Sequence, residues 1–147
     1  MISPAYVLDL YAGSGAVGLE ALSRGAAHVL LVEQDARAAQ VVRDNARGLG
    51  LPGAAVLTGR VEHLTSGPPT AGALTKVARA PYHVAFLDPP YDVAQPTIRL
   101  VLAALREHAW LIPGAIAVVE RATRGGELTW PPGWLAERSR RYGEATL

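Results

Sequence analysis

Val7-Leu8-Asp9-Leu10-Tyr11-Ala12-Gly13-Ser14-Gly15-Ala16-Val17-Gly18 is an apolar run that passes through a glycine turn into a second apolar stretch. Val7 to Tyr11 reads as a buried strand, and Ala12-Gly13-Ser14-Gly15 as a tight turn. A helix follows to about Arg24, where Gly25 ends it as a C′ glycine. The same alternation continues outward. His28 to Glu33 is a second strand closing on an acid. Asp35 caps a helix to about Leu49, with Ala38, Val41, Val42, Ala46 and Leu49 at helical spacing. Ala54 to Thr58 is a third strand, followed by Gly59-Arg60-Val61-Glu62. Ser66 to Gly72 reads as a loop before a short helical piece to about Arg79, and Tyr82 to Leu87 is the fourth strand. Pro96 stands in the first turn of a helix carrying Ile98, Leu100, Val101, Leu102, Leu105 and Ala109. Ala115 to Glu120 is a fifth strand. Leu135 to Tyr142 alternates like a sixth, Gly143-Glu144 reads as a hairpin turn, and Ala145 to Leu147 begins a seventh. Regular alternation of strand and helix implies an α/β fold. The expectation is a seven-stranded, mostly parallel sheet with a C-terminal antiparallel hairpin and helices on both faces, formed by residues 1–147 as one domain.

The 147 residues are enough for a real core, and 50% hydrophobic with 18% charged is ordinary for a globular chain. No apolar run approaches the length of a membrane span, and Met1-Ile2-Ser3-Pro4 has no signal-peptide layout. The absence of cysteine excludes disulfides, thiolate metal sites and cysteine nucleophiles, and suits a cytoplasmic protein. A net charge of +1 is not the strongly basic balance of a chain that grips nucleic acid unaided.

Gly13-x-Gly15-x-x-Gly18 has the spacing of a dinucleotide fingerprint between strand and helix, and Glu33 falls about 20 residues on. Glycines there admit a ligand to the backbone, and the acid suits ribose hydroxyls. A tight strand-to-helix turn needs glycine in any case, so this pattern alone supports only a nucleoside-containing ligand. Asp9 discriminates further. A carboxylate within a buried strand must be paired. Beside the glycine turn it would repel a pyrophosphate and suit an ammonium group. S-adenosylmethionine has a cationic amino-acid end, a ribose and no phosphate. Asp9 for the amine, the Gly13–Gly15 turn for close approach and Glu33 for the ribose fit it better than a nicotinamide dinucleotide. The plainer reading of Asp9 is a carboxylate that braces the turn or caps the helix.

Phe86-Leu87-Asp88-Pro89-Pro90-Tyr91 ends the fourth strand on an acid, two prolines and a ring. The prolines lack N–H donors and hold their predecessors extended. The result is a stiff shelf at the carboxyl edge of the sheet, where α/β ligands bind. The Asp88 carboxylate and the Pro89 carbonyl can accept the two N–H groups of an exocyclic amine on a base. They favour the pyramidal geometry that frees its lone pair. Tyr91 can stack on a base taken out of its surroundings, which is worth about 1–3 kcal/mol.

These residues resemble the class I S-adenosylmethionine-dependent methyltransferases with an Asn/Asp-Pro-Pro-Tyr/Phe motif. More narrowly, Val7 through Ala26, then Val32-Glu33, then Phe86 through Tyr91, are similar to the RsmD family, as are Ser23-Arg24-Gly25-Ala26 and Arg140-Arg141-Tyr142-Gly143-Glu144. That resemblance covers essentially the whole chain. It implies a Rossmann-like class I methyltransferase that methylates N2 of one guanine in 16S ribosomal RNA. It also implies S-adenosyl-L-methionine as cofactor, and the small ribosomal subunit or its assembly intermediate as partner. Carried over by position, Asp9, Tyr11, Ala12, Gly13, Ser14, Gly15, Glu33, Gln34, Arg60, Val61 and Asp88 would bind the cofactor. Asp88, Pro89, Pro90 and Tyr91 would hold the target base. Arg60 departs from the small or acidic residue common there, which leaves the Val61 N–H to reach the adenine. The family's basic N-terminal extension has no counterpart before Val7, so the chain reads as a catalytic core. A monomer without metal or membrane attachment is expected.

Other readings remain at this stage. Adenine N6 or cytosine N4 in DNA would suit the same amine chemistry. A nicotinamide-dependent oxidoreductase would leave Asp9 and the proline shelf without a role. A cofactor-binding core without activity is a further alternative. His28, His63, His83 and His108 lack ligand spacing and read as structural or exposed, and Trp110, Trp130 and Trp134 as packing groups. Glu20, in the first helix, is placed to brace the glycine turn.

Overall fold

The computed structural model describes residues 4–122, 128–136, 141–142 and 145–146. The chain runs β1 (Tyr6–Leu10), α1 (Ala16–Ser23), β2 (His28–Glu33), α2 (Ala36–Leu49), β3 (Ala54–Thr58), α3 (Val61–Leu64), α4 (Leu74–Val77), β4 (Tyr82–Leu87), α5 (Gln95–Glu107) and β5 (Leu111–Val119). The five strands form one parallel sheet in the order β3-β2-β1-β4-β5. The chain leaves β1 toward β2 and β3, then crosses to the other side of β1 for β4 and β5. The strand order therefore reverses between β1 and β4, and ligands of open α/β sheets bind outside the carboxyl ends of strands at such a point. The register sets Asp9 opposite Phe86 and Leu10 opposite Leu87. The glycine turn after β1 and the Asp-Pro-Pro shelf after β4 thus leave the sheet side by side.

Alternation along the strands builds two cores. Val7, Val29 and Leu31 join Leu19, Leu22 and Val42 on one face, beneath α1 and α2. Leu8, Leu10, Leu30, Val32, Ala85 and Leu87 face the other way, toward Val61, Leu74 and α5. Helix α5 buries Ile98, Val101, Leu102 and Leu105, at most 1% exposed, at the i, i+3, i+4, i+7 spacing of an amphipathic helix. Each such side chain contributes about 1.5–3 kcal/mol by leaving water. Helix α2 starts at Asp35, whose Oδ2 accepts from the Ala38 N–H at 2.9 Å, and ends at Gly50 in the left-handed region.

Several elements differ from expectation. Among the described residues the parallel sheet has five strands, not seven. Three two-residue strands, β6 (Arg121–Ala122), β7 (Arg141–Tyr142) and β8 (Ala145–Thr146), pair antiparallel in a separate sheet, β6-β8-β7, and do not extend the main one. Leu135 and Ala136 lie in no strand. Their stretch is claimed by packing instead, because Trp134 Nε1 donates to the Leu102 carbonyl at 3.0 Å and Trp130 lies against Trp134. The rest of the expected sixth strand to Arg140, the turn at Gly143-Glu144 and Leu147 fall outside the described residues. Strand β1 ends at Leu10 because Tyr11 already turns out of the sheet, with φ 62°. Strand β5 begins at Leu111, ahead of Pro113 and Gly114, as the outer strand of the sheet, where a missing N–H is tolerated. Glu20 binds Arg24 at 2.8 Å and Ser23 at 3.2 Å on the exposed side of α1, not the glycine turn.

At the opposite edge from the turns, a knot of rings closes the amino ends of the strands. Tyr82 is fully buried, stacks on Trp110, and receives the Arg79 N–H on its hydroxyl oxygen at 2.9 Å. The same hydroxyl is hydrogen-bonded to His28 Nε2 at 2.9 Å. Burial and the nearby Arg79 charge push the His28 pKa down from 6.5 to about 4. A depressed pKa means the unfolded chain takes up the proton first. The stability that neutral His28 contributes is present above pH 6.5 and is lost as pH falls through about 4. Tyr82→Phe leaves the Arg79 N–H and His28 Nε2 without their shared hydroxyl. Urea unfolding at neutral pH is expected to show a loss of about 1–3 kcal/mol.

Candidate active site

The loops at the carboxyl edge enclose a cavity of about 540 Å³, lined by Tyr11, Ala12, Gly13, Ser14, Ala16, Val17, Glu33, Gln34, Asp35, Val61, Asp88, Pro89 and Pro90. That volume suits a small organic ligand. Three of the lining residues are carboxylates, and none is Lys, Arg or His.

The three glycines of the turn answer to three different constraints. Gly13 has φ 60° and open space where a Cβ would stand, on the cavity side. Gly15 has φ 83° and lies under α2, where a Cβ would come within 2.9 Å of Val42 Cγ1. Gly18 has no room at all, since a Cβ would meet Leu31 Cδ2 at 2.8 Å, and Asp9 Oδ2 and Val29 Cγ1 at 2.9 Å. The first glycine gives access, the second lets two helices approach, and the third lets α1 lie against the sheet.

Asp9 stands beneath this turn. It is 3% exposed, and its Oδ2 accepts the Gly18 N–H at 2.9 Å. A helix start leaves its first N–H groups without intrahelical partners. Gly15, at the N-cap, offers no side chain, so the strand supplies the missing acceptor. Burial lifts the Asp9 carboxyl pKa from 3.8 to about 7. The Gly18 bond works against that rise, and the negative charges of Asp88 and Glu33 add to it. Asp9 is therefore a carboxylate at the edge of neutralisation, held within electrostatic reach of two more.

Glu33, at the end of β2, spans two turns. Its Oε1 accepts from the Gly13 N–H at 2.9 Å, and its Oε2 from the Asp35 N–H at 2.8 Å. Each oxygen keeps a second lone pair, so the carboxylate can still receive ligand hydroxyls while its own direction is fixed. Across the cavity, Asp88 follows β4 directly, and the desolvation of its site raises its carboxyl pKa. Pro89 and Pro90 hold the chain there, and the Leu87 carbonyl behind them accepts from the Glu120 N–H at 2.9 Å.

A family profile described as Conserved hypothetical protein 95 matches residues 1–147. The chain belongs to that family, which is the RsmD family its motifs resemble. Escherichia coli ribosomal RNA small subunit methyltransferase D is 32% identical over 148 residues, covering 98% of this chain and 67% of that protein. The Haemophilus influenzae protein of the same name is 31% identical, covering 92% and 66%. Among solved structures, Escherichia coli YhhF, provisionally named a methyltransferase, superposes with a TM-score of 0.81 at 29% identity, over 98% of this chain and 75% of that one. The chain thus spans about two thirds of the length of its curated relatives.

In this RsmD-family chain the fold brings most of the residues singled out from sequence around one cavity. Tyr11, Ala12, Gly13, Ser14, Glu33, Gln34, Val61, Asp88, Pro89 and Pro90 line it. Four do not. Asp9 lies below the floor and Gly15 is buried under Val42. Arg60 points along α3 to Glu62, with Nη2 3.4 Å from Oε1. Tyr91 stands just past the shelf, 61% exposed. Ala16, Val17 and Asp35 also line the cavity and were not singled out. They begin the helices that follow β1 and β2, and every such helix start lies at the carboxyl edge of a parallel sheet, so the element order alone contains that signal.

The raised Asp9 pKa carries a sign. The folded state holds the proton more tightly, so the stability linked to it is complete below pH 3.8 and is lost as pH rises through about 7. Asp9→Asn keeps an oxygen for Gly18 and removes that loss. Relative to the native chain, the variant should gain stability between pH 5 and pH 8, read as a rise in urea midpoint.

Proposed function

We propose that this chain transfers a methyl group from S-adenosyl-L-methionine to the exocyclic N2 amine of a guanine in 16S ribosomal RNA; its relatives are named as methyltransferases of small-subunit ribosomal RNA. The observation that carries the reading is the charge of the cavity. Glu33, Asp35 and Asp88 line it, Asp9 lies beneath, and among the described lining residues none is cationic. Such a lining favours a cationic ligand and disfavours a dinucleotide, whose pyrophosphate would meet like charges at the turn. The residues present fit the cofactor. Glu33 retains lone pairs for ribose hydroxyls, Gly13 leaves open space beside the backbone, and Gln34 and Val61 form the wall beyond Glu33. Of the first four N–H groups of α1, Gly18 is taken by Asp9 and Leu19 by the Gly15 carbonyl. Ala16 and Val17, which begin the helix, line the cavity, and a helix start suits the carboxylate of an amino-acid end.

When bound, S-adenosylmethionine supplies a methyl group activated by a sulfonium. The shelf does the rest. Asp88 and the Pro89 carbonyl accept the two N–H groups of the amine and turn its lone pair toward the cavity, which is catalysis by positioning. The raised pKa of Asp88 makes it the better acceptor for the proton the amine gives up. Tyr91 offers a ring on which the extruded base stacks. That gain of about 1–3 kcal/mol is comparable to the few kcal/mol needed to take a base out of its stack. A ribosomal RNA substrate makes the cytoplasm its place of action. Among the described residues, no helix is long and apolar enough to cross a membrane.

Asp88→Ala is expected to lower methyl transfer at least about 100-fold at saturating cofactor, beyond any loss of cofactor affinity that removal of its charge brings. Retention of near-native transfer in that variant would remove the role given to the carboxylate. Transfer of labelled methyl to small ribosomal subunits, and not to duplex DNA, is the expected substrate preference. Labelling of DNA instead would move the assignment to a DNA amine methyltransferase.

A further inference from the structure

The backbone of the glycine turn is held from three sides, and two of the holds come from acids already described. Glu33 on β2 takes the Gly13 N–H, and Asp9 on β1 takes the Gly18 N–H. The third comes from α2. Asn45 Nδ2 donates to the Ser14 carbonyl at 3.2 Å, across 31 residues of sequence. The direction of this bond is not ambiguous, because a backbone carbonyl can only accept, so the amide nitrogen of Asn45 must face it.

We propose that Asn45 is a positioning residue for the cofactor, acting through the Ser14–Gly15 peptide. The proposal rests on the cofactor reading given above. The peptide has two ways to face. With its carbonyl toward α2, the Gly15 N–H closes the turn on the Ala12 carbonyl at 2.8 Å, and α1 starts in line, with the Leu19 N–H on the Gly15 carbonyl at 2.9 Å. Turned the other way, the carbonyl oxygen would add a partial negative charge to a cavity already lined by carboxylates. The turn bond would also be lost. Glycine at position 15 offers little resistance to such a rotation, since it lacks a Cβ. Something outside the turn has to choose, and α2 does so twice on one face. Val42 packs against Gly15, and Asn45, three residues on, binds the carbonyl before it. Neighbouring polar groups of α2 are engaged elsewhere. Asp44 accepts from Gln40 at 3.0 Å and from Arg47 at 3.4 Å, and Arg43 donates to Thr58 at 3.1 Å. Asn45 itself is not among the cavity-lining residues.

The test compares Asn45→Ala and Asn45→Asp with Gln40→Ala, which removes a bond of similar exposure on the same helix away from the turn. Calorimetric titration with S-adenosylmethionine should show about threefold to tenfold weaker binding for Asn45→Ala, the value of one solvated hydrogen bond. Asn45→Asp, which has no donor and adds a charge, should be weaker still. KM for the cofactor should rise with the dissociation constant while kcat at saturation stays within about twofold, because the bond acts on binding and not on the amine. Amide hydrogen exchange at Gly15 in the free protein should be faster in both Asn45 variants and unchanged in Gln40→Ala. Unchanged affinity and unchanged Gly15 exchange in Asn45→Ala would overturn the proposal. So would an equal loss of affinity in Gln40→Ala, which would make the effect one of helix stability. Failure of the native chain to bind S-adenosylmethionine would overturn the cofactor reading itself, and with it the role assigned to Asn45 in binding. Gly15 exchange would then still decide whether Asn45 holds the turn.

Discussion

The carboxylate of Glu33 receives two backbone N–H groups, from Gly13 and from Asp35, which belong to the turns after two adjacent strands. Neither turn could hold its shape as well alone. The first contains three residues with positive φ, Tyr11, Gly13 and Gly15, and the second is the cap of α2. Tying both to the end of β2 sets the spacing between α1 and α2, and hence the contact of Val42 with Gly15. The sheet order then brings the shelf after β4 opposite this double turn. Charge is the accompanying cost. An acid that organises backbone N–H groups stands close enough to Asp9 to add, with Asp88, to the work of ionising it that burial mainly sets.

This crowding gives the cavity its chemical preference. Each carboxylate has its own structural reason to be present, since Asp9 supplies the helix start that Gly15 cannot cap and Glu33 ties the turns. Asp88 terminates a strand before two prolines. Together they make a region where positive charge is welcome. A bound cation would offset the negative charges of Asp88 and Glu33 that bear on Asp9 as well as making its own contacts.

Much of this was legible in the sequence, for reasons that can be named. Strands β2, β3 and β4 run where the apolar stretches bounded by turn formers put them, at His28–Glu33, Ala54–Thr58 and Tyr82–Leu87. The shelf was legible because two prolines leave the backbone few options. Other features depend on three-dimensional neighbours. Nothing in Val-Leu-Asp-Leu-Tyr tells whether Asp9 faces a ligand or the N–H of Gly18. That depends on how closely α1 lies on the sheet, which depends in turn on the missing Cβ of Gly18. Helix α3 is four residues long, too short for periodicity to register. At Leu135 and Ala136 the alternation mimicked a strand, but packing of Trp130 and Trp134 against α5 decided those two positions, as tertiary packing overrides local pattern when large rings find a surface.

The knot of Tyr6, His28, Tyr82 and Trp110 lies at the amino ends of the strands, a full strand length from the cavity. Durability and chemistry are consequently anchored at opposite ends of the same strands. A residue exchanged on the shelf, or in the loops around it, leaves the rings and their hydrogen bonds untouched. The fold can therefore lend itself to changes of substrate with little risk of unfolding, which is the condition under which a single scaffold diversifies into enzymes with different targets.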